Sequence, residues 1–293
     1  MRTYTTPLVK LDVISRQTGV EVYGKLECTN PTGSHKDRES LKVLDDAISK
    51  GFSEVAITST GNAAISLAAY SLVHGVRCHV FVPNSISEEK ARLITSFEGE
   101  LHKVQGGLKA VYAECVDFIE LHGAYDANPG RNAKKIEGDS VIGEEIIAQL
   151  DAKPSHVFVP TNNGTLLAGV WSGFRGNNVR PKMIAATAPV TEVADSITGY
   201  TRLDGDALDV ALEESGGMVI STCDVDIVEA TLLLTKEGIF CEPASATSLA
   251  ALKRLRSEVG ELQGPAVLLI TGTILKYPAR IKSVLGRSLT KLG

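Results

Sequence analysis

The chain has 293 residues, 43% of them apolar and 22% charged. That is ordinary globular composition, long enough to bury one large core or two smaller ones without covalent staples. A net charge of −5 gives no electrostatic reason to expect nucleic acid or an anionic membrane as partner. Cys28, Cys78, Cys115, Cys223 and Cys241 are scattered, and no CxxC occurs. This argues against a zinc or disulfide framework and fits reduced thiols in a cytoplasmic protein. The N-terminus, MRTYTTPLVKLD, lacks the apolar stretch of a secretory signal, and no apolar run is long enough to span a bilayer.

In chain order, alternation over 20–28 predicts a strand, and the turn CTNPTGSH follows it. A helix then carries Leu41, Leu44, Ala47 and Ile48 on one face and stops at Gly51. EVAIT is a strand, STGN a turn, and AAISLAAYSLVHG a helix. RCHVFVP is a strand closed by Pro83. SEEKARLITSFEG is a helix, with Ser87 at its N-cap and glutamates in its first turn. ELHKV, LKAVYAECVDFIELHG and AYDAN read as strand, helix and strand. The polar stretch 129–139, PGRNAKKIEGD, reads as a loop crossing between lobes. The alternation restarts with the helix VIGEEIIAQL, the strand HVFVP, the turn TNNGT, the helix LLAGVWSGF and the strand KMIAATA. Between 189 and 217 the pattern is too weak to assign. MVIST, DIVEATLLLTKEG, PASATSLAALKRLRSEVG and AVLLITG are strand, helix, helix and buried strand, and a short final helix follows.

Strand–helix alternation with short connections predicts an α/β fold of doubly wound parallel sheets. Two such lobes would place a site in the cleft between them, at the carboxyl ends of the strands. Four features fall at strand ends: Lys36, Ser59–Asn62, Pro160–Thr165 and Thr271–Thr273. Lys36 stands at the first turn of a helix, where the dipole disfavours a cation. A disfavoured cation is a more nucleophilic amine, so Lys36 is a candidate Schiff-base lysine. A solvated surface lysine is the plain alternative. The NNGT turn, with Asn162, Asn163, Gly164 and Thr165, can aim backbone N–H groups at a phosphate. No GKS, GKT or GxGxxG accompanies it, which argues against a nucleoside triphosphate or a dinucleotide. Together these features point to a phosphorylated cofactor bonded to a lysine.

NPTGSHKDR, STGN, PTNNGT, GIFCEPASATSLAAL and TGTILK resemble, in order and spacing, the threonine synthases. More broadly they are similar to the tryptophan-synthase-β-like (fold type II) pyridoxal-phosphate enzymes. The resemblance covers nearly the whole chain, and GIFCEPASA is its most specific motif. It implies two α/β lobes with pyridoxal 5'-phosphate in the cleft between them. The large cofactor-binding domain would comprise 1–38 and 129–293, and the small one 39–128. It implies that Lys36 holds the cofactor and moves the Cα proton, and that Asn62 bonds the ring's phenolic oxygen. Asn162, Asn163, Gly164 and Thr165 would hold the phosphate. Thr271 would face the pyridine nitrogen, where a neutral hydroxyl favours elimination and replacement over transamination. Ser59 and Thr60 would sit beside the substrate carboxylate. A small-molecule amino-acid substrate and a homodimer are implied as well.

The chain departs from the threonine synthases in places that bear on substrate. His35 stands where they usually have phenylalanine, TGTILK where they have TGHGLK, and NNGTL where they have GNAGN. Where the family grips the phosphate of O-phosphohomoserine with asparagine, serine and arginine, this chain has NPGRNAKKIEG. Lys135 falls at the arginine position. Arg131, Lys134 and Lys135 form a basic cluster suited to an anionic substrate, or else a solvated loop. The expected activity is that of a pyridoxal-phosphate-dependent carbon–oxygen lyase or synthase of amino-acid metabolism, with elimination and replacement at Cβ or Cγ. The alternatives are a serine/threonine dehydratase-like or cysteine/cysteate synthase-like enzyme, and a degenerate regulatory protein on the same fold. No metal is expected.

Overall fold

The computed structural model describes residues 4–260 and 262–278. Its elements in chain order are β1 (Leu8–Lys10), α1 (Asp12–Thr18), β2 (Val22–Lys25), α2 (Lys36–Ser49), β3 (Glu54–Thr58), α3 (Asn62–His74), β4 (Arg77–Pro83), α4 (Glu88–Ser96), β5 (Glu100–Val104), α5 (Leu108–His122), β6 (Tyr125–Asp126), α6 (Lys134–Gln149), β7 (His156–Pro160), α7 (Thr165–Gly176), β8 (Lys182–Thr187), α8 (Gly205–Ser215), β9 (Met218–Ser221), α9 (Asp224–Lys236), α10 (Pro243–Val259) and β10 (Ala266–Leu269). The short helix expected at the C-terminus lies outside the described residues.

By its contacts the chain divides into two units, one holding Asn30–Gly138 and the other Thr5–Thr29 with the chain from Asp139 onward. Residues 30–38 and 129–138, assigned from sequence to the larger domain, group with the smaller unit. The larger unit carries a six-stranded sheet in the order β1-β2-β10-β7-β8-β9. All its pairings are parallel except that of β1 with β2. Alternate residues serve opposite faces, as the period of a strand requires. Val157, Val159, Met183, Ala185, Val267 and Leu269 pack with residues of α6, α7 and α8. Phe158, Ile184, Ala186, Ala266, Leu268 and Ile270 pack with residues of α1, α9 and α10. The smaller unit carries a four-stranded parallel sheet in the order β5-β4-β3-β6. On one face Ala56 and Phe81 meet Val111 and Cys115 of α5. The alternate residues Val55, Ile57, Val80 and Val82 are equally buried, so both faces of this sheet are covered. The expected doubly wound α/β architecture is present. Among the described residues no helix is long and apolar enough to cross a membrane.

The structure departs from the sequence reading at four places. The strand expected over 20–28 closes at Lys25 and gives way to a 3-10 turn, Glu27–Thr29. β1 and α1 were not assigned from sequence, because three and seven residues are too few to show a period. α8 forms within the stretch left unassigned. The loop expected over 129–139 becomes helix at Lys134. Gly138 is the cause of that misreading. A glycine inside a helix lowers helical propensity, and it read as a loop signal. Here it serves packing instead, since a Cβ at Gly138 would stand 2.5 Å from the Arg38 carbonyl oxygen. α6 therefore meets α2 backbone to backbone.

Candidate active site

In the smaller unit the turn before α2 is held by Asp37. Its buried carboxylate accepts the Thr32 N–H at 2.7 Å and the Thr32 hydroxyl. Lys36 is the first residue of α2, as expected. Its ammonium donates to Glu39, one turn further along the same face. Glu39 is fully buried and shared. Lys135, itself 4% exposed, places Nζ 2.9 Å from its other oxygen, and the buried His35 places Nε2 3.8 Å from the oxygen that Lys36 binds. Burial alone would push the Glu39 carboxyl up. The charges of Lys135, Lys36 and His35 outweigh it and hold that carboxyl well below the usual carboxylate range. The close approach at Gly138 brings Lys135 to Glu39.

STGN sits where the sequence placed it. β3 ends at Thr58, Ser59–Gly61 turn, and Asn62 opens α3. The Ser59 hydroxyl accepts the Gly61 N–H at 3.2 Å, and Ser59, Thr60 and Asn62 are half-buried. The end of β3 is anchored by the buried Asn128, whose Oδ1 accepts the Thr58 N–H at 2.8 Å. The basic cluster does not act as a unit. Arg131 is exposed and bound to Asp126, and Lys134 donates to Glu137 at 2.7 Å. Lys134 and Lys135 lie on α6 rather than on a loop. Only Lys135, of the three, is carried inward to the Lys36 group.

In the larger unit β7 runs into Asn162–Gly164, and Thr165 opens α7. Gly164 has φ +95°, a left-handed conformation that glycine adopts without strain. The side chain of Asn162 accepts the Thr201 N–H at 2.8 Å, and the carbonyl of Asn163 accepts the Asp204 N–H at 2.8 Å. The hydroxyl of Thr165 donates to Asp204. Thr271 follows β10, is buried, and shares a hydrogen bond of 2.8 Å with the Ser245 hydroxyl. Ser245 also accepts the Gly272 N–H at 3.0 Å, and the Glu242 N–H donates to the Gly272 carbonyl at 2.9 Å. Cys241 and Thr273 pair as an antiparallel bridge. The motifs GIFCEPASA and TGTILK are thus knitted to each other around Thr271.

Glu39, Ser245 and Asp204 are site neighbours that the sequence alone does not mark. The spacing KxxE from Lys36 along a helix was the available signal for Glu39. Asp204 lies in the stretch too weakly patterned to assign. Four of the five cysteines are disfavoured as nucleophiles. Burial pushes the Cys28 thiol up to about 11 and the Cys78 thiol up to about 12, and it raises Cys115 and Cys241 as well.

The residues fit a phosphorylated aldehyde cofactor in three respects. A lysine opens a helix beside a shared buried carboxylate. A helix start preceded by a left-handed glycine offers N–H donors to a phosphate. Ser34 Oγ, two residues before Lys36, is buried with no hydrogen-bond partner among the described residues, a donor awaiting a ligand.

A family model described as "Pyridoxal-phosphate dependent enzyme" matches residues 2–272. The threonine synthase of Bacillus sp. (strain ULM1) is 30% identical over 294 residues, covering 93% of this chain and 83% of that protein. The threonine synthase of Methanocaldococcus jannaschii is 31% identical over 312 residues, covering 93% and 75%. Among solved structures, maize serine racemase matches with a TM-score of 0.84 at 18% identity, over 99% of this chain and 94% of that one. The processed threonine deaminase isoform 2 from Solanum lycopersicum matches with a TM-score of 0.82 at 20% identity, over 99% and 84%. At such identities the two structures speak to the fold alone. The chain belongs to the pyridoxal-phosphate-dependent enzymes of fold type II, and pyridoxal 5'-phosphate is its cofactor.

Proposed function

We propose that the protein is a threonine synthase-like lyase that eliminates and replaces a substituent on an anionic, phosphorylated amino acid. Bound pyridoxal phosphate supplies an electron sink for a carbanion at Cα. Lys36 would hold it through Nζ and would take the Cα proton of the amino acid on the same atom. Asn62 holds the ring's phenolic oxygen, and the N-terminus of α7 holds the phosphate. The Thr271 hydroxyl, bonded to Ser245, would face the ring nitrogen without adding a charge. Ser59 and Thr60 receive the substrate carboxylate.

The observation that supports an anionic substrate is the buried ammonium of Lys135, brought to the Glu39 carboxylate beside Lys36. A substrate phosphate would gain a charge-assisted contact from it. The curated relatives are threonine synthases, which supports O-phosphohomoserine as the first substrate to assay. Stoichiometric release of inorganic phosphate with formation of threonine is the expected result.

A second reading, serine/threonine dehydration or β-replacement, is favoured by a different observation. Arg131 and Lys134 are each paired with a neighbouring acid, which leaves the anion grip of this region to Lys135. Pyruvate from serine or 2-oxobutanoate from threonine, with no phosphate released from O-phosphohomoserine, would select it. A purified protein that stays colourless after incubation with pyridoxal phosphate would overturn both.

A further inference from the structure

In the smaller unit the strands β3, β4 and β5 lie in a register that aligns Ala56 with His79, His79 with Glu100, and Phe81 with His102. These residues share the face covered by α5, where Phe118 lies against His79 and His102 at ring separations of 4.6 and 5.2 Å. Two imidazoles and a carboxylate converge there. His79 Nδ1 stands 3.1 Å from His102 Nε2 and 3.3 Å from Glu100 Oε2, and the three atoms all lie within 4.8 Å of one another. Four ligands at the ~2.0–2.1 Å bond lengths of zinc stand about 3.3 Å apart in a tetrahedron.

The far side of His79 fixes its tautomer. Its Nε2 lies 3.1 Å from Glu54 Oε2, and Glu54 is itself held by Arg77. An Nε2–H donated to Glu54 turns the lone pair of Nδ1 toward Glu100 and His102. That is the carboxylate–histidine arrangement that orients and strengthens a metal ligand. A hydrogen bond from His102 to His79 would account for one contact only. It leaves the Glu100 oxygen, an acceptor, facing the lone pair of Nδ1 at 3.3 Å. A cation resolves that conflict.

We propose that His79 Nδ1, His102 Nε2 and Glu100 Oε2 form a site for a borderline divalent cation, zinc foremost. The fourth position opens toward solvent on the side of Glu100, whose side chain is 54% exposed. Because β5 is the edge strand of its sheet, a bound cation ties that edge to β4. The site shares no residue with the cofactor machinery, so its fate is separable from that of the proposed reaction.

The test uses the full-length, cofactor-loaded protein, freed of metal by chelator dialysis and titrated with Zn²⁺ alone. One equivalent bound per chain is expected, with a rise in the unfolding temperature. Glu100→Gln should weaken binding about 10–100-fold, and His102→Ala should abolish it. Both variants should keep the cofactor's visible absorbance, which shows that they fold. No saturable zinc binding, or one equivalent bound with equal affinity by wild type and His102→Ala, would overturn the site.

Discussion

Two lysines with buried surroundings, one in each unit, show how differently the fold treats the same side chain. Lys25, on β2, is fully buried. Its three N–H donors go to the Thr6 carbonyl at 2.7 Å, Glu145 at 2.6 Å and Gln149 at 2.8 Å. That is complete satisfaction of an ammonium. It joins the N-terminal segment to α6 and leaves the amine nothing to do but hold. Lys36 keeps 22% of its side chain exposed and shares Glu39 with Lys135 and His35. Glu39 is thus shared among three basic groups, whereas Lys25 donates to three separate acceptors. Residual access and a shared counter-ion, rather than burial, set the lysine proposed as catalytic apart from the structural one.

The sharpest break between the two is substitution by alanine. Lys36→Ala should fold and lose turnover by at least about 10³-fold. Borohydride reduction followed by peptide mass mapping should locate the cofactor on Lys36 in the wild type and nowhere in the variant. Lys25→Ala should do the reverse. Removing one partner strands Glu145 in a largely buried setting, at a cost of about 3–5 kcal/mol in urea unfolding. Turnover per folded molecule should survive. If Lys25→Ala proved neutral in stability while Lys36→Ala retained activity, the contrast would be lost.

The sequence showed one of these lysines and hid the other, for a physical reason. Lys36 was legible because its neighbours are local. A turn, a helix start and a family motif lie within ten residues of it. The strand ends carrying STGN, NNGT and TGT were legible for the same reason, as were most elements long enough to show a period. Lys25 was not singled out, since its partners lie 19, 120 and 124 residues away. Lys135 was noticed, but as one of three loop cations. Its departure from Arg131 and Lys134 rests on the close approach of α6 to α2 at Gly138, a contact that no local pattern records. Ser245 lies inside GIFCEPASA and Glu39 just past NPTGSHKDR, yet neither is marked by local pattern, because what distinguishes each is its partner in the folded chain.

Glu39 sharpens the comparison at intermediate size, through pH. Its carboxyl is held below the ordinary value of 4.5 in the folded protein. A depressed carboxyl stabilises the fold fully above the unfolded value, and the stabilisation is lost as pH falls below it. Unfolding free energy should therefore fall below about pH 4.5 in the wild type, and that part of the fall should be missing in Glu39→Gln. The variant should be less stable at neutral pH, where two ammoniums are left without their carboxylate. An identical acid limb in the two proteins would show that Glu39 is not the shared counter-ion.

The smallest effect separates the three cations read as one cluster. Lys135→Gln should raise the KM for a phosphorylated substrate about 10–100-fold, the worth of one charge-assisted contact, with a smaller change in kcat. Arg131→Gln should move KM by no more than about twofold, because an exposed ion pair such as Arg131–Asp126 contributes about 0–1 kcal/mol. The ratio of the two effects matters more than either alone. Equal effects would return the anion grip to the surface loop, and with it the loop reading that the helix at Lys134 displaced. A large ratio would leave Glu39 as the device that draws a second cation to Lys36, as the fully satisfied Lys25 has no means of doing.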